Sequence, residues 1–324
     1  MGPHSRFIGG YIMRGVALGA AIALVSWTGP AIAQPYFENF EVDPTANWTV
    51  NNGPSDAAAN FFFDYSSVGI PTAPSGVGTR GMKLQANLTN GIFSGMSVSP
   101  NGRFFSGDYT VRFDWWANFN GPFPVGGSGS TNLSTFGIGT SGTLVQWPGG
   151  TQDSVWFAAT GDGNSSSDWR AYSTAAPISY PDGSPVYMAA TRNSSDPYYA
   201  GFGNNTAPAA QLALFPQQTG TTLVGSAGME WHDVVIDKIG TTATWSVDGL
   251  PIASVDLTTV TLSGGNIFFG HSDVNAASSS DPNDFALLFT LIDNIRVTAV
   301  PAPGSITLLC VGGLLAARRR RPSN

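Results

Sequence analysis

Hydrophobic and polar residues alternate along many short stretches of the chain. From Tyr109 to Trp115 every second residue is apolar, so Tyr109, Val111, Phe113 and Trp115 share one face. A period of two residues is the pattern of a β-strand with one buried side. The sequence has no long segment with a helical period, no heptads and no repeat of fixed length. The pattern therefore predicts an all-β body.

The last third of the body carries a hairpin pattern. Thr244–Val247 is followed by Asp248–Gly249, a dipeptide typical of the tight turn between antiparallel strands, and Ile252–Val255 supplies the returning strand. Two further segments have the composition of strands, Asn266–Gly270 and Leu287–Val297.

The composition favours a folded domain with many turns. The 324 residues include 40 Gly and 22 Pro, with 11% charged and 12% aromatic residues. Between Gln34 and Val300 there are 8 Lys and Arg against 21 Asp and Glu, a net charge near −13. This charge argues against a nucleic-acid partner, because phosphates need cations. The single cysteine, Cys310, excludes an intramolecular disulfide.

The N-terminus has the three parts of a secretory signal peptide. Arg6 and Arg14 precede an apolar run, Val16–Val25, and the small residues of Ala31–Ala33 form an A-x-A cleavage site. We expect signal peptidase to remove residues 1–33. An uncleaved membrane anchor is the alternative.

The C-terminus combines a proline linker, an apolar stretch and a basic cluster. The apolar stretch, Ser305–Ala317, would be about 20 Å long as a helix, against about 30 Å of bilayer hydrocarbon. The arginines would keep this end of the chain in the cytoplasm. The linker contains Pro301, Ala302, Pro303 and Gly304, and the cluster consists of Arg318, Arg319, Arg320 and Arg321.

This ending, residues 300–324, resembles the PEP-CTERM sorting domain of Gram-negative bacteria, which has a Pro-x-Pro signature, a short transmembrane helix and a terminal arginine cluster. Ala302 departs from that family, which usually has Glu between the prolines. The resemblance implies processing by an exosortase, a membrane cysteine protease. It also implies transient anchoring in the inner membrane and a final place at the outer surface or in the extracellular matrix. A plain tail anchor is the alternative.

The body resembles the laminin-G-like and concanavalin-A-like jelly rolls. The segments that carry the resemblance are Glu230–Ile236, Trp245–Ile252, the closing Leu291–Val297, and the opening Asn39–Glu41 followed by Asn47–Trp48. The resemblance implies an antiparallel jelly-roll β-sandwich over residues 34–299. The middle of the body, Gly121–Ser226, has a looser pattern, and its polar, turn-rich stretches Gly126–Ser130 and Asn193–Pro208 predict long loops at one rim of the sandwich. A second small domain in this region is the alternative.

Two groups of oxygen-bearing residues are candidate calcium sites. In calcium-stabilised jelly rolls one ion joins the first strand to the last, and the resemblance places Glu41 and Asp293 at the matching positions. Asp162, Asn164 and Asp168 have the oxygen-rich spacing of a calcium loop, without the final Glu of an EF-hand. Exposed polar positions and ordinary asparagine turns are the alternatives.

One aromatic cluster in the loop-rich middle is a candidate glycan site. Trp169, Arg170 and Tyr172 follow the Asp162 loop, and sugars bind to aromatic faces flanked by polar groups. The alternative is a place in the core, where strand aromatics usually lie.

The sequence contains no catalytic motif. Its three glutamates, Glu38, Glu41 and Glu230, are not spaced two apart as in the glycosidases of this fold, and no G-x-S-x-G is present. We expect His232 at the surface or the rim and His271 in a turn. We therefore predict a non-enzymatic surface or matrix protein that binds glycans or other extracellular polymers. The alternatives are a secreted polysaccharide hydrolase or lyase, and a structural matrix component without a ligand.

Overall fold

The computed structural model describes residues 2, 35–53, 56–86, 88, 94–120, 132–150, 152–163, 165–273 and 283–301. The strands and helices described here belong to one compact unit. Its strands are β1 (Tyr36–Glu38), β2 (Trp48–Asn52), β3 (Ala57–Asp64), β4 (Arg80–Ala86), β5 (Ser94–Pro100), β6 (Tyr109–Asn118), β7 (Asn132–Thr140), β8 (Val155–Thr160), β9 (Trp169–Tyr172), β10 (Trp231–Ile239), β11 (Thr242–Val247), β12 (Leu250–Asp256), β13 (Asn266–Asp273) and β14 (Phe289–Ala299). The helices are α1 (Ala209–Leu214) and α2 (Asp284–Leu287), with 3₁₀ turns at Thr45–Asn47, Tyr65–Val68, Pro197–Tyr199 and Leu257–Thr259.

The strands form two antiparallel sheets. The first sheet has the order β12-β11-β10-β6-β14-β4-β3, with β1 beside β14, and the second has the order β2-β5-β13-β7-β8-β9. Side chains from both sheets meet in one core, as in the edge-to-face contact of Phe113 with Phe136 at a centroid distance of 5.2 Å. The predicted all-β sandwich of antiparallel strands is confirmed.

Aromatic rings dominate the centre of the core. Phe136 on β7 contacts Trp115 and Trp245, each at a centroid distance of 5.6 Å. Each such pair contributes about 0.5–1.5 kcal/mol beyond the burial of its area. Large buried rings explain how this chain can fold without a disulfide.

The predicted hairpin is confirmed as β11 and β12. Asp248 and Gly249 both have positive φ, 50° and 79°, which a two-residue turn of this hand requires. The Asp248 carboxylate also accepts the backbone N–H of Asp233 at 2.8 Å. The turn residue therefore ties the hairpin back to β10.

The opening strand differs from the prediction. Strand β1 ends at Glu38, and Asn39–Glu41 follows as a bend in which Phe40 has φ 58°. The bend takes the chain from the first sheet to the second, where Trp48 begins β2. Phe40 is fully buried, so packing of its ring accounts for the unusual backbone.

The middle of the chain is more regular than we predicted. Strands β7, β8 and β9 lie within Gly121–Ser226, and the long connection between β9 and β10 contains the predicted turn-rich segment Asn193–Pro208. Loops from this region converge at one end of the second sheet, where β8 turns into β9.

Candidate functional site

An open pocket lies where the β8–β9 loop meets two segments of the long β9–β10 connection. Its volume of about 490 Å³ is within the range of small-molecule sites. We call it the rim pocket, and it is lined by Ser165, Ser166, Asn193, Ser194, Ser195, Leu223 and Val224.

Asp168 holds two walls of the rim pocket together. Its Oδ2 accepts the backbone N–H of Ser165 at 3.2 Å and the hydroxyl of Ser194 at 2.5 Å, so it binds both the β8–β9 loop and the facing segment. Its Oδ1 accepts the hydroxyl of Thr160 at 2.5 Å, which fixes the carboxylate to the end of β8. Asp168 is only 1% exposed and lies beneath the lining.

Two carboxyl groups near this loop have raised pKa values. Burial raises the pKa of Asp168, and the hydrogen bonds from Ser194 and Thr160 act in the opposite direction. Burial, followed by the charge of Asp168, raises the pKa of Asp162 to about 8. Burial and the nearby charge of Asp168 thus both favour the protonated form of Asp162.

The predicted calcium loop contains these same residues. The contacts of Asp168 are those of a loop anchor, because both of its oxygens accept protein donors. Asn164 lies outside the described residues, so a calcium ion in this loop stays a prediction.

Trp169 supports the rim pocket from below. Its indole N–H donates to the carbonyl of Gly225 at 3.2 Å, next to the lining residue Val224. Its ring stacks on Tyr199 at 5.3 Å with an interplanar angle of 11°. Trp169 is 1% exposed, so our expectation of an exposed stacking face is corrected: β9 directs this ring into the core.

Tyr172 and Arg170 do not join the rim pocket either. Tyr172 is fully buried and stacks on Trp156 at 3.7 Å, in a cluster on the other face of the second sheet. Arg170 is half-buried and donates through Nε to the carbonyl of Ser167. The alternation of strand β9 separates Trp169 from its two predicted partners.

Glu41 and Asp293 approach a common group of atoms. Asp293 is 2% exposed and accepts the hydroxyl of Tyr65 at 3.1 Å, and that hydroxyl also lies 3.2 Å from the carbonyl oxygen of Gly78. A Cβ on Gly78 would lie 2.1 Å from Glu41 Oε1, so the Glu41 carboxylate packs directly on this glycine. The structure thus brings the predicted pair to the two sides of Tyr65 and Gly78.

Asp114 adds a third carboxylate to this region. A β-bulge in β14 places Asn294 at φ 52°, and the Asn294 amide donates to Asp114 at 2.7 Å. Burial raises the pKa of Asp293 to about 8, and the charges of Asp114 and Glu41 contribute. A divalent cation would relieve this repulsion, and carboxylate and carbonyl oxygens are the ligands that calcium prefers. Within the described ranges no three His, Cys, Asp or Glu side chains are grouped as metal ligands.

Both histidines of the body are buried, contrary to expectation. His232 Nδ1 lies 2.7 Å from Asp248 Oδ2, and its Nε2 lies 2.9 Å from the carbonyl oxygen of Ala227. His271 lies on β13 between Thr290 and Asn132, each at 2.8 Å. Burial lowers the pKa of His271 to about 3. Strand alternation directs both rings inward. The residues that flank the two histidines in sequence are typical of loops, so the sequence did not indicate that either ring would be buried.

The outer face of the second sheet carries small and aromatic residues on its central strands. Strand alternation and register give two neighbouring outward rows across these strands. One row consists of Ser97, Gly270, Thr135, Ala158 and Arg170, and the other consists of Ser99, Phe268, Gly137, Trp156 and Tyr172. These rows contain no carboxylate, whereas glycoside hydrolysis uses a carboxylate pair.

The sorting signals lie largely outside the described residues. Only Pro301 of the motif is described, while Ala302, Pro303, Gly304 and the cluster from Arg318 to Arg321 are not, and neither is the signal segment apart from residue 2. Within the described ranges no helix has the length and hydropathy needed to cross a membrane.

Sequence reasoning missed most of the lining of the rim pocket. Asn193–Ser195 and Leu223–Val224 are distant in sequence from the predicted Asp162 loop. The available signal was the turn-rich composition of Asn193–Pro208, which marked a rim loop without showing which loop it would face.

No protein-family model matches the chain, and no curated protein matches it. Its fold is similar to several solved structures. These include an apo Crh5 transglycosylase (13% identity, TM-score 0.41, covering 84% of this chain and 87% of that chain). A second is the lectin UEA-II complexed with galactose (10% identity, TM-score 0.41, 84% and 100%). A third is a Bacillus licheniformis β-glucanase (12% identity, TM-score 0.39, 84% and 100%). Function is therefore argued from the site itself.

Proposed function

We propose that this chain is an exported surface or matrix protein whose β-sandwich binds an extracellular glycan or related polymer. The observation that carries the proposal is the rim pocket, an open cavity of about 490 Å³ whose walls mix hydroxyl groups with apolar side chains.

The lining matches the two surfaces of a sugar. Four serines and Asn193 supply hydroxyl and amide groups for sugar hydroxyls, and Leu223 and Val224 supply an apolar wall for sugar C–H groups. The apolar side chain of Val224 is 46% exposed. A bound ligand would remove part of this surface from water, which favours binding.

The pocket is held in shape before a ligand arrives. Asp168 joins two walls, and the Trp169 N–H holds the third through Gly225. Preorganised loops lose less conformational entropy on binding, and this favours affinity.

The two chain ends supply the proposal of export. Signal peptidase would remove residues 1–33, and exosortase would process the tail after transient anchoring through the C-terminal helix. The intact mass of protein purified from its native envelope tests this. Loss of both ends supports the proposal, and an intact C-terminus with its four arginines makes the protein a plain tail-anchored one.

A structural calcium ion is part of the proposal. Glu41, Asp293 and the carbonyl of Gly78 would hold it, and a cation there would offset the mutual repulsion of Asp293, Asp114 and Glu41. Its role would be to fix the bend after β1 to the closing strand β14.

Retention on immobilised polysaccharides tests the binding function. We would pass the full chain over a β-1,3-glucan, a xylan and a galactomannan. Ser166→Trp fills the pocket from an exposed position, whereas Val77→Trp places the same side chain on a 78% exposed residue outside the lining. Retention that Ser166→Trp abolishes and Val77→Trp preserves supports the proposal. If no polymer retains either the wild type or Val77→Trp, the result argues for a structural component without a glycan ligand.

A further inference from the structure

The lining of the rim pocket has a distinctive charge pattern. None of its seven lining residues carries a charge, although acidic sugars are usually bound through Arg or Lys.

The two arginines nearest in sequence to the lining are engaged elsewhere. Arg170 donates through Nε to the carbonyl of Ser167. Arg192 donates through Nη1 to Ser179 and to the carbonyl of Tyr180, 3.2 Å away. Both guanidinium groups thus have partners outside the lining.

An ionisable group in direct contact with the lining is the carboxyl group of Asp168. The Asp168 carboxylate bonds to Ser165 and Ser194, which are both lining residues, and it is buried where water screens poorly. Burial raises its pKa, whereas the three hydrogen bonds that it accepts and the charge of Arg170 favour its ionised form. The body as a whole adds a net charge near −13. A carboxylate on a ligand in this pocket would meet repulsion from both.

We propose that the rim pocket selects neutral sugars and rejects acidic ones such as uronates. This inference rests on the proposed glycan-binding function and specifies the ligand class of the same site. Because the seven lining residues are uncharged, the buried carboxyl group of Asp168 beneath them is the feature that would discriminate between the two ligand classes.

The test uses chemically matched ligands. A β-1,3-glucan and a galactomannan are each compared with the same polymer oxidised at C6 to the uronate, and affinities for the full chain are measured by calorimetry. We expect the oxidised form of any bound polymer to bind at least about tenfold more weakly. Ser166→Arg, which adds a cation to the lining at an exposed position, should remove most of this difference, and Val77→Arg should leave it intact.

The outcomes separate the two claims. Equal or tighter binding of the oxidised polymer overturns the charge selectivity and leaves the binding function standing. A difference that Val77→Arg abolishes as completely as Ser166→Arg also overturns it, because the effect would then belong to net charge. Binding of no polymer in either form overturns the binding function and the selectivity with it.

Discussion

The carboxylate of Asp168 accepts the hydroxyl of Ser194 at 2.5 Å, across 26 residues of sequence. This contact joins the β8–β9 loop to a segment of the long β9–β10 connection, and the rim pocket opens between them. The shape of the candidate site therefore depends on one buried carboxyl group that touches both of its polar walls.

Asp168→Asn should destabilise the protein and weaken ligand binding together. The substitution replaces one acceptor oxygen with an amide nitrogen, which cannot accept a hydrogen bond from the donors that face it. This should lower the free energy of unfolding by about 1–3 kcal/mol. Chemical denaturation and calorimetry measure the two effects. Asp43→Asn is the matched control, since Asp43 also caps a backbone N–H and a hydroxyl, both of Thr45, but in an exposed loop. Unchanged stability in Asp168→Asn would contradict the anchoring role.

Asp293 should make the response to calcium depend on pH. At pH 8.5 calcium should raise the free energy of unfolding of the wild type by about 2.7 kcal/mol when calcium exceeds its Kd a hundredfold, and the melting temperature should rise with it. Because the pKa of Asp293 is raised to about 8, protons should compete with the ion, and the response should shrink as the pH falls below 8. Asp293→Asn and Glu41→Gln should lose it. An equal rise in Asp293→Asn would place the ion elsewhere.

Lys83 should make stability rise with pH above 8. Its ammonium lies 4.7 Å from the centroid of Phe63 and 4.8 Å from that of Phe289, and burial lowers its pKa to about 8. The unfolded chain, with a lysine pKa near 10.4, then binds more protons between about pH 8 and 10. The free energy of unfolding of the wild type should therefore rise relative to Lys83→Met over this range. Lys83→Arg, which stays charged, should show no such rise, and a parallel rise in all three proteins would refute the account.

His271 should contribute to acid unfolding. Burial lowers its pKa to about 3, so the unfolded chain, with a histidine pKa near 6.5, takes up a proton that the folded chain excludes. The stability that this neutral histidine provides is present above pH 6.5 and is lost as the pH falls towards 3. His271→Gln, which can keep bonds to Thr290 and Asn132, should lose less stability between pH 6.5 and 4. Denaturation curves of the two proteins at matched pH measure the difference, and identical pH dependence would contradict the lowered pKa.

The regular part of the fold was predictable because it depends on local patterns. The alternation in Tyr109–Trp115 marks β6, and Asp248–Gly249 marks the β11–β12 turn through its own backbone preference. The bend at Phe40 was not predictable, because a buried ring overrides the backbone preference of that residue.

The site was only partly predictable because its parts come from distant segments. The sequence marked the loop ending at Asp168, but the partner Ser194 is fixed by tertiary packing. The aromatic residues that follow the loop look the same in sequence whether they face ligand or core. In the structure Trp169 is buried beneath the rim pocket and supports it through the hydrogen bond to Gly225.

Calorimetric titration of the full chain with soluble neutral oligosaccharides of a β-1,3-glucan and a galactomannan tests the central claim most directly. The account predicts saturable binding with one site per chain, lost in Ser166→Trp and retained in Val77→Trp. Binding of the same strength in Ser166→Trp would contradict it, because the ligand would then occupy a surface other than the rim pocket.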